Sequence, residues 1–450
     1  MVHFGRRSQR NGEIATIDEA ASRPGERGRG GFAALRFRNY RLYFGGQIVS
    51  VIGTWMQSTS EAWLVVDRLH ASPIQLSLVP VCQFGPVLML GIPSGLLSDR
   101  LPKRRILQFT QSMFALLALT MSLLIFSNLV QLWHVYLIAL LYGITTAIDQ
   151  PARQAFVSEM VERDVVMNAV SLNSAVFNTG RVIGPAVAGA LLALFGPAVC
   201  FLINAISFVP VVGALTAMRL KPHVARASGS AIAGIREGLG YIRHTPEIRR
   251  TILLIGFIGT FAVNYNVWVP LLAQDDFKAG AGTYGLLMSA MGIGSLAGAL
   301  SLAFFGGRKP NRTRMLAAAM GLGVAEIGLG WVASVPLSVH LGMVALAVIG
   351  YLSTSTMATA NTIVQTTASD EYRGRVMAVY MTVFTGTTPA GALAAGAVAE
   401  NFGAPASVAT GGAIAFLAAM IIAWTTRSAI TKAVKKVATV EARSSGSNAD

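Results

Sequence analysis

The chain is 450 residues long, 53% hydrophobic and only 13% charged, with a mean hydropathy of +0.56. Soluble globular domains carry about 25% charged residues, so that class is excluded. The net charge of +15 invites a nucleic-acid reading, but its placement argues against one. Apart from Arg68, Lys278 and Arg181, the lysines and arginines fall in alternate loops and the two tails. That is the positive-inside pattern, and it puts both termini in the cytoplasm.

Residues 1–41 are polar and Arg/Gly-rich, without the apolar core of a secretory signal. They read as a disordered basic cytoplasmic tail. A helix that crosses a bilayer needs roughly 20 mostly apolar residues. Twelve such stretches follow, at 42–66, 74–98, 106–127, 132–150, 168–195, 198–218, 251–273, 283–305, 315–334, 337–360, 374–399 and 405–426. They group as an N-terminal six-helix bundle at 42–218 and a C-terminal one at 251–426. A cytoplasmic linker at 219–250, with an amphipathic helix around residues 232–242, divides them. Residues 427–450 form a second disordered cytoplasmic tail. The expected fold is an all-α membrane protein with twelve transmembrane helices in two pseudo-symmetric six-helix bundles.

An internal repeat supports the division. At an offset of 209, Arg41 falls on Arg250, Arg105-Ile106-Leu107 on Arg314-Met315-Leu316, and Asn168-Ala169-Val170 on Met377-Ala378-Val379. Duplicated halves related by an axis along the membrane normal are a known transporter architecture.

Polar residues inside apolar spans mark the candidate chemistry. In the first span Ser50, Thr54, Gln57, Ser58 and Glu61 form one stripe at helical spacing, as on a cavity-lining helix. Glu61 lies in the outer third. It reads either as a desolvated carboxyl able to carry a proton or as an ordinary carboxylate at the outer interface. Arg181 lies about 13 residues into the fifth span, roughly 20 Å along it. It is either satisfied locally by backbone carbonyls and Asn178 or a counter-charge for an anionic substrate or coupling carboxylate. Asn264, Tyr265, Asn266 and Trp268 in the seventh span and Tyr351 in the tenth offer rings and amides for a bulky amphipathic ligand.

The two cysteines, Cys82 and Cys200, and six scattered histidines suggest no disulfide framework or metal set. No Walker-type loop occurs, and the glycines around Gly292 sit inside an apolar span. No cofactor is expected.

Two motifs carry a resemblance. Gly95, Asp99, Arg100, Lys103 and Arg104 resemble the loop signature G-x-x-x-D-[RK]-x-G-[RK]-[RK] of the major facilitator superfamily, with Pro102 where Gly is usual. Gly180, Gly184, Pro185 and Gly189 resemble the fifth-helix signature of its drug–proton antiporters, with Ala188 replacing one Gly. Asp149-x-Pro151-Ala152-Arg153, Gly53-Thr54-Trp55-Met56-Gln57 and Arg181-x-x-Gly184-Pro185 further resemble its transmembrane secretion effector branch, which includes enterobactin-type siderophore exporters and macrolide efflux pumps.

The resemblance implies a bacterial inner-membrane secondary transporter that exports a small amphipathic molecule in exchange for protons, by alternating access. It implies no enzyme activity, no nucleic acid and no obligate protein partner besides the lipid bilayer, the small-molecule substrate and protons. The first, fourth, seventh and tenth helices would line the cavity, with Thr54, Gln57, Asn264, Tyr265, Asn266, Trp268 and Tyr351. Glu61, Arg181 and Asp149 are the proton-coupling candidates. Residues 95–104 would form a cytoplasmic gate with Asp149 as partner for Arg100 or Lys103. Glu326, in a ninth helix that the resemblance puts at the periphery, reads as a packing or snorkelling residue. The alternatives are an importer or uniporter of an anionic metabolite, with Arg181 as its anchor, a membrane-embedded enzyme or a transporter-like receptor. An enzyme would need clustered His/Asp or Ser/His sets, and none occurs in the sequence.

Overall fold

A computed structural model describes residues 31–218, 231–305, 311–333 and 339–446. The first half comprises α1 (Arg38–Trp63), α2 (Pro73–Arg100), α3 (Lys103–Phe126), α4 (Leu132–Met160), α5 (Val166–Phe195) and α6 (Pro197–Ala217). A linker helix follows, α7 (Ala231–His244). The second half comprises α8 (Pro246–Phe261), α9 (Tyr265–Leu271), α10 (Ala281–Phe305), α11 (Arg312–Ala333), α12 (Val339–Thr367), α13 (Arg373–Phe402) and α14 (Ala404–Gly446). Leu116, Leu123, Ile206, Val209, Trp331, Val344 and Trp424 are exposed on the helix exteriors, as expected for faces whose solvent is lipid.

Eleven of these segments are long and apolar enough to cross a membrane. The twelfth expected span, α1, is 26 residues long, about 39 Å at the helical rise. Its stripe of amides, hydroxyls and Glu61 keeps it out of the apolar set, while its length and its packing against α5 and α6 place it within the bundle.

The structure shows the repeat in detail. Both α1 and α9 run into a π-helical turn, Leu64–Arg68 and Leu272–Asp276. The junctions α5–α6 and α13–α14 both pivot on a left-handed glycine, Gly196 (φ 75°) and Gly403 (φ 86°). Gly143 of α4 abuts the Gln83 carbonyl of α2, and Gly350 of α12 abuts the Met291 carbonyl of α10. These equivalences lie 208 positions apart early in the halves and 207 later, so the sequence offset of 209 drifts by one or two residues.

Four expectations need correcting. The second and third helices are separated only by Leu101 and Pro102, because α2 continues to Arg100. Proline forces its predecessor out of the helical region, and Leu101 is extended (φ −100°, ψ 151°). The start of the chain is ordered earlier than expected. Residues 33–36 form a turn docked on α5, where Asn168 accepts from the Ala34 N–H (2.9 Å) and donates to the Gly31 carbonyl (2.8 Å). At the other end α14 runs on to Gly446, through Ala- and Lys-rich sequence of high helical propensity. Finally, the seventh span is broken into α8 and α9.

The break has a local cause. In an unbroken helix the Thr260 carbonyl would accept from the Asn264 backbone N–H. Here the Asn264 side-chain Nδ2 donates to it (2.8 Å), and the backbone N–H turns to Ala262 O (3.0 Å). Short amide side chains compete with the backbone in this way.

The halves meet where α5 packs on α10 and α2 on α13. Near one end, where α1 finishes, Trp63 stacks on Tyr284 (5.2 Å between ring centroids) and the Ile74 N–H donates to Glu400 (3.1 Å). There Gly189 also faces Gly285, so closely that a Cβ on Gly189 would lie 2.8 Å from the Gly285 Cα.

Candidate functional site

Between the halves lies a cavity of about 760 Å³. The first half lines it with Trp55, Pro80, Phe84, Gln150, Phe177 and Arg181. The second half contributes the broken segment from Val263 to Val267, polar Ser353, Thr354 and Asn361, and Tyr380 and Phe384. Arg181 is the one charged lining residue among those described. Its guanidinium sits over the Trp55 ring (5.9 Å to the centroid), its Nε is buried with no hydrogen-bond partner, and the Tyr265 hydroxyl lies beside it. Trp55 in turn meets Phe177 edge-on (5.4 Å).

The break sets the second wall. It presents Asn264, Tyr265 and Asn266 to the cavity, and the Tyr265 hydroxyl bonds Ser353 Oγ on α12 (3.0 Å). Trp268, expected at the wall, is fully buried behind it and meets Tyr265 edge-on (5.9 Å). Gln57 and Thr54 also lie away from the lining. Gln57 accepts from Asn204 of α6 (2.5 Å), and Thr54 returns its hydroxyl to the Ser50 carbonyl (2.8 Å). Tyr351 faces Ser301 and Arg314, on the side of α12 turned from the cavity. A polar stripe marks an interior face, but whether that face meets the cavity or a sister helix depends on the rotation of the helix.

Glu61 is 5% exposed and accepts from Gln83 Nε2 of α2 (2.8 Å). It is thus buried inside the first bundle rather than at a water interface, while Arg181 faces the cavity with other partners. Asp149 is 4% exposed. It pairs with Arg153 (2.7 Å) and accepts from Thr110 (2.6 Å) and Gln111 (2.9 Å) of α3. Arg153 reaches on to Gln47 of α1 (2.7 Å). The expected pairing of Asp149 with Arg100 or Lys103 is therefore absent: a cation one turn along the same helix is the nearer partner.

The basic motif is spent on the ends of neighbouring helices. Lys103 pairs with Glu159 (2.8 Å), and Arg104 donates to the Thr216 (2.7 Å) and Met218 (3.2 Å) carbonyls, capping the C-terminal end of α6. Gly95 and the exposed Arg100 lie in the last turns of α2. The Asp99 side chain lies outside the described residues. Gly180 and Gly184 seat α5 on Trp55 of α1, and Pro185 and Gly189 seat it on Gly285 of α10.

Sequence reasoning missed Phe84, Phe177, Gln150, Asn361 and Tyr380 of the wall. Trp55 stood in a motif without a role, and its aromatic neighbour Phe177, four residues before Arg181, was the available signal.

Residues 29–444 match the family of transmembrane secretion effectors. The chain belongs to that family. Among its relatives is a staphyloferrin A transporter of Staphylococcus aureus, 24% identical over 81% of this chain and 90% of the relative. The multidrug efflux pump Tap of Mycolicibacterium fortuitum is 27% identical over 76% of this chain and 84% of the pump. Macrolide efflux protein A of Streptococcus pyogenes is 22% identical over 82% and 92%. The fold resembles that of a D-xylose–proton symporter (TM-score 0.67, 14% identity, covering 86% of this chain and 97% of the symporter). It also resembles an inward-facing bacterial homologue of the lysosomal transporter Spinster (TM-score 0.63, 13% identity, 86% and 95%). This transmembrane secretion effector is a multi-pass membrane transporter of the major facilitator superfamily, and its family are transporters rather than enzymes.

Proposed function

We propose that this transporter exports a small amphipathic molecule in exchange for protons, by alternating access of the cavity between its two halves. The cavity carries the reading. Its volume falls in the range of small-molecule sites, about 300–1,000 Å³, and its rings supply contact area while Gln150, Asn264, Asn266 and Asn361 fix orientation. Export is supported by the multidrug and macrolide efflux proteins among its relatives. The positive-inside pattern supports cytoplasmic termini in a bacterial inner membrane, which makes the end closed by Trp63 and Tyr284 the outer one.

Glu61 is the first candidate for the proton. It is buried with a neutral donor, Gln83, and no cation bridges it among the described residues. Inverted membrane vesicles energised by respiration test the reading. A panel of amphipathic drugs and siderophores is added and collapse of the pH gradient is followed. Wild type is expected to release protons with at least one compound, and Glu61→Gln to lose that release. Release unchanged in Glu61→Gln moves the proton site elsewhere, and silence from wild-type protein confirmed in the membrane overturns antiport. The unpartnered Nε of Arg181 favours a second reading, uniport or import of an anionic metabolite, which predicts uptake unaffected by a pH gradient.

A further inference from the structure

Glu326 lies in the middle of α11, 1% exposed, with Oε1 lacking any hydrogen-bond partner. The snorkelling expected from the sequence is thereby excluded, since the side chain points into the second bundle. No ion pair joins it to a cation among the described residues. Packing does not call for a carboxyl here. The helices α11 and α14 approach backbone to backbone through Gly323, Gly330 and Gly412, and a Cβ on Gly412 would lie 2.7 Å from the Glu326 Cβ. A hydrocarbon would fill that space without burying a polar group.

The surroundings of Glu326 lead to the cavity. Gly411, beside Gly412 on α14, abuts the Phe261 carbonyl and Ala262, where the seventh span breaks. Tyr265, the first residue after the break, lies close enough for its hydroxyl to feel the Glu326 charge. That same hydroxyl bonds Ser353 at the cavity wall. We propose that Glu326 is a second proton-binding site, housed in the second half and linked to the substrate cavity through the break in the seventh span.

The coupling follows from what a bare carboxylate needs. An unpaired buried charge is costly, so the sealed arrangement suits the protonated acid. Loss of the proton calls for a donor, and the Tyr265 hydroxyl is a titratable group near enough to couple to its charge. To turn to Glu326 this hydroxyl leaves Ser353, which shifts the wall that Asn264, Tyr265 and Asn266 present. The residues packed on α11 beside Gly321 and Gly323, Leu352 from α12 and Gly412 and Phe416 from α14, are not titratable, and Tyr351 of α12 faces Arg314 at the start of α11. Arg181 stands beside Tyr265 from the first half. The role in transport rests on the proton-exchange reading above, whereas the protonation itself is read without flux.

The test uses the full chain in lipid nanodiscs. Wild type, Glu326→Gln and Glu61→Gln are titrated with pH while tryptophan emission is followed, Trp268 serving as reporter of Tyr265. Separately, wild type is treated with dicyclohexylcarbodiimide, which modifies protonated carboxyls in apolar surroundings, and the Glu326 peptide is examined by mass spectrometry. The expected result is two titration steps in wild type, with Glu326→Gln losing one and keeping the other. Carbodiimide modification at Glu326 should decline as pH rises. Loss of the same step in Tyr265→Phe supports the link to the cavity. A Glu326→Gln titration identical to wild type, or no modification of Glu326 at any pH, overturns the site. If Glu326→Gln fails to fold, the carbodiimide profile of wild type decides. Substrate-driven proton release that persists unchanged in Glu326→Gln vesicles overturns its role while leaving antiport intact. A titrating Glu326 in a protein without such release leaves the site standing and antiport refuted.

Discussion

Arg153 and Asp149 together tie three helices: Arg153 bonds Asp149 on its own helix and Gln47 and Tyr43 on α1, while Asp149 gathers Thr110 and Gln111 from α3. Removing one partner of a buried pair costs more than the pair contributes, because the survivor is left charged and uncompensated. We therefore expect Arg153→Met to destabilise the protein by about 3 kcal/mol, the lower end for buried pairs because the Arg153 side chain is 30% exposed. The double variant Asp149→Leu, Arg153→Met should recover a large part of that loss. Thermal unfolding in detergent checks both; a double variant as unstable as the sum of the singles would refute the pairing. The i,i+4 spacing of Asp149 and Arg153 was legible in the sequence. Thr110 and Gln111 were not, since two polar residues in an apolar span carry no sign of which helix they face.

Asn264 shows what periodicity can and cannot deliver at the level of a helix. Apolar runs bounded by charge located the spans, because a bilayer sets their length, but not how far α4, α12 and α14 continue past them, to Met160, Thr367 and Gly446. The break in the seventh is invisible to such counting, as Ala262, Val263 and Tyr265 are as apolar as their neighbours; only the Asn264 and Asn266 amides hint at a rival for the backbone. Asn264→Leu removes the Nδ2 donor and returns the Thr260 carbonyl to the backbone N–H. The two half-helices should then join, and the residue-264 amide should exchange with deuterium up to about tenfold more slowly, the worth of about one backbone hydrogen bond. Transport should fall, since Tyr265 and Asn266 would turn from the wall. Hydrogen–deuterium exchange by mass spectrometry over residues 258–268 reads the first effect, and faster exchange would show that the break does not depend on this amide. Gln57 and Tyr351 were placed in the cavity from sequence but lie outside it, because a polar stripe does not give the rotation of its helix, whereas Asn264, Tyr265 and Asn266 line it where the break turns them to the wall.

The two halves are one design used twice, down to the π-turns after α1 and α9 and the left-handed Gly196 and Gly403, yet their buried acids differ. Glu61 sits in the first half and Glu326 in the second, at positions the repeat does not relate. Among the contacts that join the halves at the end where α1 finishes are Trp63 on Tyr284, Gly189 on Gly285, Gly396 on Ser77, and Glu400 on the start of α2. Such a set holds one state of an alternating-access machine, and it can be wedged apart. Gly285→Val puts side-chain atoms where the Pro185 carbonyl and the Gly189 backbone already lie, and overpacking of this kind costs about 1–3 kcal/mol. Spread over a two-state equilibrium, that is enough to shift the population ratio by about 5- to 150-fold, and it acts on the closed state alone. Spin labels at Arg68→Cys and Ala279→Cys, on opposite halves at this end, should therefore report a longer distance in Gly285→Val than in the parent. Gly213→Val, at a glycine with open space around it, should leave the distance unchanged. If both variants gave the parent distance, the glycine contact would be incidental to closure, and the stacked Trp63 and Tyr284 would be the next place to insert a wedge.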